Sequence, residues 1–87
     1  MNAMNENRLR DLLLHHFPDA EIALEDLTGT HDHWRARIVS GAFSGLSPVA
    51  RHRLVYKALQ QEMHGPIHAL ALDTVTPDEA TLSHSQA

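Results

Sequence analysis

Arg51-His52-Arg53-Leu54-Val55-Tyr56-Lys57-Ala58-Leu59-Gln60-Gln61-Glu62-Met63-His64-Gly65-Pro66-Ile67-His68-Ala69-Leu70-Ala71-Leu72 is the stretch that decides how this chain folds. His52, Val55, Tyr56, Leu59 and Met63 recur at spacings of three and four, so they share one face of a helix. Gly65 and Pro66 stop that helix near His64, because glycine accepts a left-handed cap and proline cannot continue the ladder. Ile67 onward is short, apolar and bounded by punctuation, which predicts a buried strand with His68 at its start.

Upstream of the stretch, Ser47-Pro48 opens the helix, with serine as N-cap and proline at the first helical position. Gly41 to Pro48 is a glycine-bounded loop. His33 to Ser40 alternates, with Trp34, Ala36 and Ile38 facing one way and His33, Arg35 and Arg37 the other. Glu21 to Leu27 alternates as well, with Ile22 and Leu24 against Glu21 and Glu25. The turn-like Thr28-Gly29-Thr30-His31-Asp32 joins the two into an antiparallel hairpin. Before it, Asn5 or Asn7 caps a helix carrying Leu9, Leu12, Leu13 and Phe17 or His16 on one stripe, ended by Pro18-Asp19. His15 and His16 fall in its last turn, where a cation suits the helix dipole.

Downstream, the strand runs to about Val75, and Thr76-Pro77-Asp78-Glu79 is a capping box that opens a short helical turn before a polar tail. The order α-β-β-α-β, with a short final helix, predicts a two-layer α+β sandwich on a three-stranded sheet. The 87 residues form one domain, with residues 1–4 and 81–87 read as loose tails.

Composition narrows the function. A hydrophobic fraction of 43% fits a globular domain, and the absence of cysteine removes disulfides, thiolate ligands and thiolate nucleophiles. No apolar run approaches the roughly 18 residues of a membrane span. The first residues are polar, with no signal-peptide core, so the chain is read as cytoplasmic. A formal charge of −4 is a poor footprint for non-specific nucleic-acid binding. Protonation of all eight histidines would reverse that charge, near the usual histidine pKa of about 6.5.

No nucleophile, base and orienting group share a spacing, so catalysis is the weakest class. The histidines offer more. His31 and His33 point the same way if their segment is extended, and His33 and His68 head two strands whose ends can meet at one rim. Two imidazoles ligate a metal incompletely, and the rest must come from water or a partner. On the residues alone a solvated His33 and a hydrogen-bonded His68 outweigh that reading. Arg51 and Arg53 oppose the dipole of the helix they open, so an acidic neighbour or an acidic or phosphate partner is expected beside them, with His52 on the packed face. The plainer alternative is a solvated Arg51 and Arg53. Trp34 and Tyr56 are read as core.

The chain resembles the BolA family from about Leu9 to Glu79. The resemblance rests on Val39-Ser40, Phe43-x-Gly45, Arg51-His52-Arg53-Leu54-Val55-Tyr56, Ile67-His68-Ala69-Leu70 and Thr76-Pro77-Asp78-Glu79. His33 before Trp34 is similar to the branch of the family with histidine rather than cysteine in that loop. Leu46 stands where members often carry lysine. The resemblance implies an α-β-β-α-β fold similar to type II KH domains. It implies a non-enzymatic partner of a monothiol glutaredoxin with a Cys-Gly-Phe-Ser motif, sharing a 2Fe–2S cluster in iron–sulfur trafficking or iron sensing. The glutaredoxin cysteine and glutathione would ligate from the partner's side. His68 and His33 would ligate from this chain, with His31 as the alternative loop ligand. Arg51, His52, Arg53, Phe43 and Gly45 are the partner-binding candidates, and self-association as a homodimer stays open. The alternatives are a DNA-binding regulator using the KH-like fold and a simple histidine metal binder. Against the first, Gly41 to Gly45 carries no cation to clamp a nucleic-acid backbone.

Overall fold

The computed structural model describes residues 5–29, 33–60 and 69–85. The first helix, α1, spans Glu6–His16, and the Asn5 side chain caps it by accepting from the Arg8 N–H at 2.8 Å. Strands β1 (Glu21–Asp26) and β2 (His33–Val39) form the expected hairpin. Gly41–Phe43 is a 3₁₀ turn within the predicted loop, with Ser40 as its cap. The second helix, α2, spans Pro48–Ala58, and Ser47 caps it by accepting from Ala50 N–H. Strand β3 is Ala69–Val75 and the final helix, α3, is Pro77–Ser85.

The sheet has the order β1-β2-β3, with β1 antiparallel and β3 parallel to β2. The parallel pairing follows from connectivity, since α2 carries the chain back along the sheet before β3 begins. Alternation holds along β2: Trp34, Ala36 and Ile38 are buried, while Arg35 and Arg37 are exposed. These three pack with Leu9, Leu13 and Phe17 of the α1 region, Val55 and Leu59 of the α2 region, Leu70 of β3 and Phe43. The helices therefore cover one sheet face, and the result is the expected two-layer α+β sandwich.

Three local expectations change. α2 closes at Ala58, where Leu59 leaves the helical region (φ −104°, ψ 20°) and acts as its C-cap while staying fully buried; Gln60 is helical again, and the expected run to His64 lies outside the described residues. The proposed stop at Gly65-Pro66, and Met63 on the apolar stripe, lie outside the described residues. α3 is a nine-residue helix rather than a single turn. Tyr56 is not core: the residue is 39% exposed, and its hydroxyl is anchored on Leu70 O.

Candidate functional site

The parallel register sets the geometry of the candidate rim. His33, the first residue of β2, is the Cα partner of Ala69, the first residue of β3, and Trp34 is paired with Leu70. The two strands thus begin at one end of the sheet. His33 is half-buried, and its carbonyl accepts from the Leu27 N–H at 2.8 Å across the hairpin. The turn beyond it is closed by Gly29, whose φ of +77° suits glycine and whose N–H donates to Asp26 Oδ1. His68 immediately precedes Ala69 in sequence; His68 and the alternative ligand His31 lie outside the described residues. Among the described residues, no group of three or more His, Cys, Asp or Glu side chains stands ready to hold a metal. A metal centre that includes His33 must therefore draw ligands from elsewhere in the chain or from a partner. An imidazole at a strand-start rim fits such a shared centre chemically.

The opposite end of the same strands is occupied by polar side chains bonded to one another. Arg51, expected to need an acidic neighbour, finds Glu79: Nη1 and Nη2 meet the two carboxylate oxygens at 2.7 and 3.0 Å. The same guanidinium donates from Nε to Leu46 O at 3.0 Å and from Nη1 to Thr74 O at 3.1 Å. Only an arginine fork makes all four bonds at once. Glu79 in turn accepts from the Thr76 N–H and donates its own N–H to Thr76 Oγ1, completing the predicted capping box. The guanidinium, followed by the Thr76 N–H, holds the Glu79 carboxyl down to about 2. Nearby, Ser40 is fully buried; its Oγ donates to Asp19 Oδ1 at 2.7 Å and accepts from the Ala42 N–H at 3.1 Å. The Ser40 hydroxyl, and next the Gly41 N–H, hold the Asp19 carboxyl below its usual range.

These placements revise the partner-binding candidates. Phe43 is fully buried with its ring 5.5 Å from that of Phe17, so it belongs to the core and offers no contact surface. Arg51 is an internal clamp, since its guanidinium is spent within the domain, and it is not part of a solvated face. His52 is half-buried, whereas Arg53 and Gly45 are exposed. Gly45 adopts φ +78°, which explains the glycine after Phe43 through backbone geometry.

Small α+β domains with this mixed sheet and a capped C-terminal helix form a defined class, and the comparisons with known proteins name it. The sequence profile of the BolA-like proteins matches residues 13–79, and this chain belongs to the BolA family. It is 51% identical to BolA-like protein 1 of Mus musculus over 49 residues, covering 56% of this chain and 36% of that protein. The chain therefore spans about a third of the length of that relative. It is 49% identical over 51 residues to the DNA-binding transcriptional regulator BolA of Vibrio cholerae, covering 59% of this chain and 48% of that protein. The solved BolA domain of SufE1 from Arabidopsis thaliana superposes with a TM-score of 0.77 at 38% identity, covering 88% of this chain and 99% of that one.

Proposed function

We propose that this chain is a non-catalytic partner of a monothiol glutaredoxin and shares a 2Fe–2S cluster with it. His33 and His68 act as the ligands from this side, and the glutaredoxin cysteine and glutathione act from the other. The observation that carries the reading is the register of β2 and β3, which pairs His33 with the residue that follows His68. A cysteine-free chain must join such a centre through non-thiolate ligands, of which imidazole is one, and imidazole ligation raises the potential of a 2Fe–2S cluster. His33 supplies its nitrogen from the head of a strand whose next residue, Trp34, is locked in the core. Exposed Arg53 on α2 is the cation available to an acidic partner surface.

The test is to mix the chain with cluster-loaded monothiol glutaredoxin and glutathione, and to follow visible absorption and circular dichroism beside size-exclusion chromatography. A one-to-one complex with a shifted cluster spectrum is expected, and His68→Ala or His33→Ala should weaken it. His31→Ala should do less, and equal losses at His31 and His33 would reassign the loop ligand. Two separate peaks with an unchanged spectrum would reject the reading and move attention to DNA binding, the activity named for the Vibrio cholerae relative.

A further inference from the structure

β3 is an edge strand, and the direction of its carbonyls can be read from one bond. The Ser40 N–H donates to Val75 O at 2.9 Å, so the polar groups of Val75 face β2. In a parallel ladder alternate residues face alternate sides, so the carbonyls of Leu70, Leu72 and Thr74 face the outer edge. Two side chains of α2 reach exactly that series at its two ends. Arg51 takes Thr74 O, and the Tyr56 hydroxyl donates to Leu70 O at 2.9 Å. A helix thus splints an edge strand at two points. The Arg51 point belongs to the clamp with Glu79. The Tyr56 point has no such partner network, and it lies at the rim, because Leu70 is in register with Trp34 beside His33.

Burial does not account for Tyr56. The residue is 39% exposed, and its one bonded polar group is the hydroxyl that donates to Leu70 O. We infer that Tyr56 is a positioning residue for the rim: its hydroxyl fixes the start of β3 against α2 and so sets where that strand begins relative to His33. This rests on the cluster-sharing reading above and names a residue outside the ligand set that tunes it.

Tyr56→Phe in the full chain removes the hydroxyl and keeps the ring. In the free protein, amide hydrogen exchange should quicken about fivefold at Ala71, whose N–H faces β2, the size expected for one lost neutral hydrogen bond. Val75, at the end of the strand held by Arg51 and Ser40, should be unchanged. In the mixed complex with monothiol glutaredoxin and glutathione, the visible circular dichroism of the cluster should change, and the cluster should be lost several-fold faster. Tyr56→Leu should behave like Tyr56→Phe in both readouts if the hydroxyl is what matters. Exchange unaltered in Tyr56→Phe would overturn the anchoring. Quickened exchange with an unaltered cluster spectrum and lifetime would overturn the positioning role. A wild-type chain that forms no mixed complex is a failure of the cluster-sharing reading, whereas a wild-type complex indifferent to Tyr56→Phe is a failure of this inference alone.

Discussion

Where β2 and β3 finish, Ser40, Asp19, Thr76, Arg51 and Glu79 are bonded side chain to side chain and side chain to backbone. Where the same strands begin, His33 and Ala69 face each other above Trp34 and Leu70, and the hydroxyl of Tyr56 reaches in from α2. One end is held by charge-assisted bonds, and the other stands on the buried side chains of Trp34 and Leu70. The parallel arrangement makes this division possible, because it collects two strand starts at one end and two strand finishes at the other. An end with its polar groups bonded to each other has little left to offer a partner. An end packed from beneath carries an imidazole, a side chain suited to ligation. The sheet edges follow a similar economy: Arg10 Nη1 donates to Ile22 O of β1 at 2.7 Å, and Arg51 and Tyr56 occupy carbonyls of β3. Covering edge carbonyls discourages strand addition by another chain.

The largest break in this comparison should come from beneath the rim. Trp34 is only 1% exposed and adjoins His33. Trp34→Ala should cost about 3–5 kcal/mol of stability and disturb the rim with it, read by urea unfolding and by loss of the mixed complex. A loss below about 1 kcal/mol would mean that the rim is not held by packing. At the bonded end the effect should be smaller and confined. Ser40→Ala leaves the Asp19 carboxylate without its buried donor and should cost about 1.5–3 kcal/mol. The cluster spectrum of the complex should be unchanged. If Ser40→Ala alters that spectrum, the two ends are coupled through β2 and the division fails.

What the sequence made legible was local. Asn5, Ser47-Pro48 and Thr76-Pro77-x-Glu79 are caps whose bonds close within three residues, and each is found as expected. The alternation from His33 to Val39 placed Trp34, Ala36 and Ile38 on the buried face for the same reason. What was not legible depends on distant partners. The acid that answers Arg51 lies 28 residues away, and the one that answers Ser40 lies 21 away. Helical spacing put Tyr56 beside Val55 and Leu59, but spacing cannot say that it is 39% exposed with its hydroxyl on Leu70 O. Phe43 was a contact candidate through the Phe43-x-Gly45 resemblance, and the 3₁₀ turn folds it instead onto Phe17. For the candidate site, periodicity and order put His33 and His68 at strand starts. The parallel pairing, which brings β2 and β3 together in register, needed the structure.

The smallest effect, and the sharpest on the nature of the bonded end, concerns pH. In the folded chain Arg51, and next the Thr76 N–H, lower the Glu79 carboxyl from 4.5 to about 2. A carboxyl lowered on folding stabilises the fold above its ordinary value, and the contribution fades as pH falls through the folded value. Glu79→Gln keeps the shape and the oxygen acceptor but removes the charge. Its unfolding midpoint should therefore fall below that of the wild type at pH 7, and the gap should close as pH drops from 4.5 toward about 2. Asp19 is also lowered, by Ser40 and then Gly41, so it destabilises wild type and variant alike in acid. The difference between the two chains isolates Glu79. The gap should be modest and should shrink with added salt, because the Glu79 side chain is 48% exposed and water screens the pair. A gap that persists undiminished at the acid limit would assign the hold of Arg51 on α3 to the geometry of the fork and the capping box, with the charge contributing nothing. The bonded end would then be a matter of shape, and its contrast with the rim would lie in direction of bonding and not in electrostatics.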